Sequence, residues 1–145
     1  QSKGKSSREY TSSIMKGCGE YALDKDMRKF GWALTKLCAE WNTLTVRLML
    51  MARKDREIIS AASDEFLMYS GYVMMGYHWA RMAAVAYDKL ENGGTESPEF
   101  YKAKIQTAEF YFDKILPRTS GHAESMVAPS ESMTAMAVDN FAFLD

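Results

Sequence analysis

The sequence predicts an all-α fold, an antiparallel up-and-down bundle of three long helices with shorter C-terminal helices, on three observations. Apolar residues recur at intervals of three and four over long stretches, Gly and Pro cluster between those stretches, and no segment shows the sustained alternation of a strand. With 145 residues and 47% hydrophobic content, the chain is large enough for one domain with a real core.

Residues 1–20 are polar and carry Gly4, Gly17 and Gly19, so they are expected as a lead-in or linker, with at most a short helix from Arg8 to Lys16. The chain opens at Gln1 without Met, as a segment of a longer protein would, and residues 21–145 are expected as one helical-bundle domain. From Asp24 the pattern is clear. Met27, Phe30, Leu34, Leu37, Trp41, Leu44, Leu48 and Met51 trace one face of an amphipathic helix over 24–53, about eight turns long. The charged break Arg53-Lys54-Asp55-Arg56 separates it from a second helix over 56–91.

Residues 66–80 of that second helix contain no Asp, Glu, Lys or Arg. Phe66, Tyr69, Val73, Tyr77, Ala80, Ala84 and Tyr87 form one stripe, and Met68, Tyr72, Met75, Trp79, Met82 and Ala86 form another on roughly the opposite side. Either the helix sits centrally in its own domain, or one stripe serves a surface outside these residues. Tyr72, Met75, Trp79 and Met82 are therefore expected as an interface, partly exposed in a monomer or covered by another copy. Gly76, Ala80 and Ala84, four apart, would let another helix approach closely.

Asn92-Gly93-Gly94 supplies residues able to adopt the left-handed conformation at a helix C-terminus. Ser97-Pro98-Glu99 then offers an N-cap, a residue pre-set for the first helical position and an acid for the dipole. A third helix follows over 98–116, with Tyr101, Ile105, Ala108, Phe112 and Ile115 along one side and Phe100, Ala103, Thr107 and Tyr111 widening it. Pro117 must kink or stop it. A fourth helical stretch runs to about Val127, and Ser130 can cap one more short helix carrying Met133, Met136 and Ala137 toward Phe141 and Phe143.

The net charge is −1, so no global field recruits nucleic acid, and neither a nucleic-acid partner nor a membrane span is expected. Residues 1–60 carry 12 basic and 7 acidic side chains, a surplus read as attraction between successive helices. Cys18 and Cys38 have the wrong spacing for a zinc site or redox pair, and a reducing, cytoplasmic setting is expected.

Tested for chemistry, the chain offers no catalytic, cofactor-binding or metal-binding residues. A di-iron bundle needs Glu-x-x-His pairs, but His78 and His122 follow Met75 and Thr119 at that spacing. Gly71-x-x-x-x-Gly76 lacks the Lys-Ser/Thr and the preceding strand of a phosphate loop. In Ser120-Gly121-His122-Ala123-Glu124, neighbours one and two apart on a helix do not face each other and form no relay. One polar strip remains, with His78 and Arg81 on one sector near Ser70, Met74 and Asp88. It would receive a phosphate or carboxylate partner or, on the plainer reading, form a salt bridge from Arg81 to an acid on a neighbouring helix.

Two motifs go further. Phe66-Leu67-x-x-Ser70-Gly71-x-Val73-x-x-Gly76-Tyr77-x-Trp79-x-x-Met82-Ala83 and Tyr101-Lys102-x-Lys104-x-x-Thr107-Ala108-x-Phe110-Tyr111-Phe112-x-x-Ile115-Leu116-Pro117 resemble, in order and spacing, the acetyl-CoA dehydrogenase C-terminal-like domain of large bacterial acyl-CoA dehydrogenases. That group includes enzymes similar to 3-methylmercaptopropionyl-CoA dehydrogenase. The similarity covers roughly residues 20–130. The resemblance implies a flavoprotein parent that removes hydrogens from the α and β carbons of an acyl-CoA thioester, using FAD and a glutamate base, and passes electrons to an electron-transfer flavoprotein. Base and FAD contacts belong to upstream catalytic domains, so this segment holds no cofactor and is expected to be inactive alone. Its implied partners are those upstream domains or a second subunit of a homo-oligomer. The other class of function is an independent helical interaction or scaffold protein with no enzymatic parent.

Overall fold

Lys3–Leu23 (α1), Arg28–Ala52 (α2), Arg56–Asn92 (α3), Pro98–Phe110 (α4) and Thr119–Val127 (α5) form the molecule in a computed structural model. It describes residues 3–54, 56–129, 135 and 140 and, of residues 3–11, 57 and 58, the backbone alone. No strand occurs among the described residues. The expected helix beyond Pro129, with Met133, Met136 and Phe141, lies outside them.

Where a lead-in or short helix was expected, α1 is a full helix that runs through Gly17 and Gly19 and packs along α2. Its Ile14 and Cys18 belong to the shared core. Tertiary packing stabilises what propensity leaves marginal. At Gly17 an added Cβ would lie 3.3 Å from the Tyr77 ring, so the glycine makes room for α3.

Between α1 and α2 the chain turns on Asp24, whose carboxylate accepts from the backbone N–H groups of Asp26 at 2.8 Å and Met27 at 3.2 Å. The helices then meet backbone to backbone. A Cβ on Gly31 would sit 2.2 Å from the Ala22 nitrogen and 2.5 Å from the Tyr21 carbonyl carbon, so only glycine fits there. Along α2, Met27, Phe30, Leu34 and Leu44 are buried, with Leu37, Trp41, Leu48 and Met51 packed at the margin. Burial of this stripe is the main favourable contribution of α2 to folding.

α3 runs beside α2, α4 and α5. Tyr69, Val73 and Ala80 of its first stripe are fully buried. Tyr69 donates its hydroxyl to the Glu40 carboxylate at 2.7 Å and the Leu37 carbonyl at 3.1 Å, fixing the register of α2 against α3. Gly76 sits where Leu34 and Leu116 converge, each 3.3 Å from an ideal Cβ. Close approach therefore occurs at Gly76 and Ala80 as expected, while Ala84 is half-buried and Ala83 takes the core position.

The α3–α4 connection follows its sequence signals. Gly93 has φ of 87° and donates to the Lys89 carbonyl, and the Ser97 hydroxyl accepts from the Phe100 N–H at 3.4 Å. α4 buries Tyr101, Ile105 and Ala108; of the residues expected to widen its apolar face, Tyr111 is core, while Phe100, Ala103 and Thr107 are exposed. A π-helical turn, Tyr111–Ile115, then precedes a 3-10 turn, Leu116–Arg118. The Leu116 N–H bonds to the Tyr111 carbonyl five residues back. The wider turn adds a residue ahead of Pro117, whose ring would clash in a regular helix, and it lets the consecutive Tyr111 and Phe112 both point inward. Phe112 meets Phe30 edge-on at 4.8 Å, and Tyr111 donates to the Tyr72 carbonyl at 2.8 Å.

Candidate functional site

No helix among the described residues is long and apolar enough to cross a membrane. Nor does any group of three or more His, Cys, Asp or Glu among them stand where it could hold a metal ion. The letters of Ser120-Gly121-His122-Ala123-Glu124 are dispersed by the helix. His122 turns away to pair with Glu65 of α3 at 2.5 Å and stacks on Tyr72, ring centres 5.6 Å apart, while Ser120 and Glu124 face solvent. Sequence reasoning missed this α3–α5 clasp because 57 residues separate its members.

Cys18 and Cys38, set aside on spacing, face each other from α1 and α2 in the core as free thiols. The hydrogen bond to Cys38, and then burial, push the Cys18 thiol well above the ordinary thiol range. Such a thiol is an inert packing group.

The outward side of α3 is different in kind. Leu67, Met68, Gly71, Met75, His78, Met82 and Val85 are all exposed, at intervals of one, three and four residues. Met75 is 50% and Met82 38% exposed. At 1.5 Å per residue this strip is about 27 Å long. Tyr72 and Trp79, expected beside these methionines, are half-buried and pack against the core. The four interface residues predicted from sequence are thus split. Met75 and Met82 stand on the surface, while Tyr72 and Trp79 support it from behind. Gly71, with no atom within 4 Å of an ideal Cβ, leaves the strip locally shallow.

Toward its C-terminal end the strip runs into a groove of about 420 Å³ between α3 and α4. His78, Arg81, Met82 and Val85 form one wall, Phe100 and Lys104 the other, and Ala86 and Tyr101 lie between. The structure thereby brings together both members of the predicted polar strip, while Ser70 instead donates to the Phe66 carbonyl and Asp88 pairs with Asn92. The expected salt bridge from Arg81 is not formed: among the described residues no carboxylate pairs with it. Its guanidinium lies 5.9 Å from the Tyr77 ring centre, and Lys104 lies 5.2 Å from that of Phe100. Lys104 entered the sequence analysis only as a member of the second motif, with no binding role. That motif reveals nothing about the opposite helix.

Compared with known proteins, residues 10–137 match the family described as acetyl-CoA dehydrogenase C-terminal like. No curated protein matches the chain.

Proposed function

This chain belongs to the acetyl-CoA dehydrogenase C-terminal-like family, and from that premise we propose that it is the C-terminal helical domain of a flavin-dependent acyl-CoA dehydrogenase, where it docks the catalytic domains or a second subunit. The family match over residues 10–137 carries the reading. The exposed strip of α3 supports the docking role, because an apolar face of that length is the kind that protein partners cover. The parent would oxidise the α,β-carbon bond of an acyl-CoA thioester in the cytoplasm, with FAD and the base in upstream domains and an electron-transfer flavoprotein as acceptor. An enzyme similar to 3-methylmercaptopropionyl-CoA dehydrogenase fits this description. No chemical step falls to residues of this segment, whose contribution is to position and stabilise the assembly.

The test is to purify this chain and the polypeptide encoded by its whole reading frame side by side. The whole product should carry flavin and dehydrogenate acyl-CoA, and the chain alone should do neither. Substituting Met75→Asp and Met82→Asp in the whole product should weaken assembly, read by analytical ultracentrifugation, without unfolding it. A reading frame with no flavin domain, or flavin bound stoichiometrically by this chain alone, would overturn the proposal.

A further inference from the structure

Three features of the α3–α4 groove belong together. Its volume of about 420 Å³ falls within the roughly 300–1,000 Å³ of small-molecule sites. Its body is apolar, built from Met82, Val85, Ala86 and Phe100, and methionine adapts to the shape of whatever lies on it. Every residue at its edge able to carry charge is basic: Arg81 and His78 on α3 and Lys104 on α4, with no Asp or Glu in the lining. Arg81 and Lys104 lie over aromatic faces, with no carboxylate partner among the described residues. Such contacts hold a cation in place without neutralising it.

From this arrangement we infer that the groove binds an anionic amphiphile, a single hydrocarbon chain with a carboxylate or phosphate head. The head sits between Arg81 and Lys104, where two donors from opposite walls meet it and the guanidinium can engage two oxygens. The chain lies along Met82, Val85 and Phe100, removing their exposed apolar surface and its own from water. The charge of the rim selects an anion over a neutral or cationic molecule of the same tail. The volume suits a single chain and is small for a partner helix, whose diameter with side chains is about 10–12 Å. The groove shares His78, Met82 and Val85 with the exposed strip of α3, but the inference does not rest on the docking role, since it is argued from the charge and lining of the groove.

The experiment is titration of this chain, with ¹³C-labelled methionine methyl groups, by decanoate and by decyl phosphate below their micelle-forming concentrations. Decanol and decyltrimethylammonium serve as matched tails without the negative head. Both anions should shift the Met82 methyl signal and saturate, the tighter of the two identifying the preferred head. Decanol should bind at least tenfold more weakly. The paired substitutions Arg81→Gln and Lys104→Gln should abolish the preference of decanoate over decanol, a ratio that a general loss of stability would not move selectively. Val85→Trp, which fills the groove, should weaken both. Equal binding of decanoate and decanol would overturn the proposal, as would shifts at Met68 and Met75 as large as those at Met82.

Discussion

The α1–α2 and α3–α4 hairpins use similar parts and close differently. Each joins two helices through a short loop held by a polar side chain, Asp24 in one and Ser97 in the other. In the first, Gly31 brings backbone against backbone and the interface is sealed over Ile14, Cys18 and Cys38. In the second, Tyr101 and Ile105 pack on Ala86, and a groove with a basic rim is left beside them between Phe100 and Lys104 on α4 and Arg81, Met82 and Val85 on α3. The first hairpin is closed by backbone contact, and the second carries the proposed groove.

The sharpest way to break this contrast is Gly31→Ala. Its new methyl group would meet the backbone of Ala22 and Tyr21, which cannot rotate aside, so a loss of about 3 kcal/mol in urea unfolding is expected. An unchanged midpoint would mean that the hairpins are equally adaptable.

Next is Tyr69→Phe, which leaves the Leu37 carbonyl and Glu40 without their donor and should cost about 1–2 kcal/mol. The same residue governs alkaline behaviour. Burial first, then the hydrogen bond to Glu40, raises the Tyr69 phenol far above its ordinary value of 10.0, while burial and then Tyr72 push Tyr111 up to about 12. Above pH 10 the unfolded chain releases phenolic protons that the folded chain retains. The stability these groups contribute is therefore complete below pH 10 and lost as pH rises, toward about 12 for Tyr111 and beyond it for Tyr69. Tyr69→Phe should flatten that decline in unfolding experiments above pH 10.

Gly93→Ala tests the open hairpin at its loop. No atom lies within 4 Å of the new methyl group, so the penalty is that of the positive φ alone, about 1 kcal/mol by thermal unfolding. Smallest in stability is Met75→Asp with Met82→Asp on the exposed face, expected within about 0.5 kcal/mol per site, together with weaker self-association in sedimentation. A loss of several kcal/mol would show that this face is core after all.

The long amphipathic helices and their stops were legible because periodicity and capping are local properties. Met27 to Met51 keeps one face inward, and Gly93, Ser97 and Pro98 act as their chemistry dictates. α1 was obscured because its glycines read as a linker, whereas Gly17 is the opening into which Tyr77 fits, a relation across 60 residues. The second stripe of α3 was visible as periodicity, but its division was not. Tyr72 is half-covered because His122 of α5 stacks on it, and nothing near Tyr72 in sequence announces that neighbour. The groove was half legible. His78 and Arg81 shared a sector, but Lys104 joins them only through the geometry of the hairpin.

The π-helical turn at Tyr111–Ile115 bears on how this helix tolerates insertions and deletions. One surplus residue advances the phase of everything after it by about 100°, so the segment before the turn and the segment after it answer to different neighbours. Deleting a single residue within 111–115 would restore an unbroken α-helical phase and rotate one of two aromatic anchors out of the core, either Tyr111 from the Tyr72 carbonyl or Phe112 from Phe30. A length change that a surface loop would absorb unnoticed would here break either the Tyr111 tie to α3 or the Phe112 contact with α2.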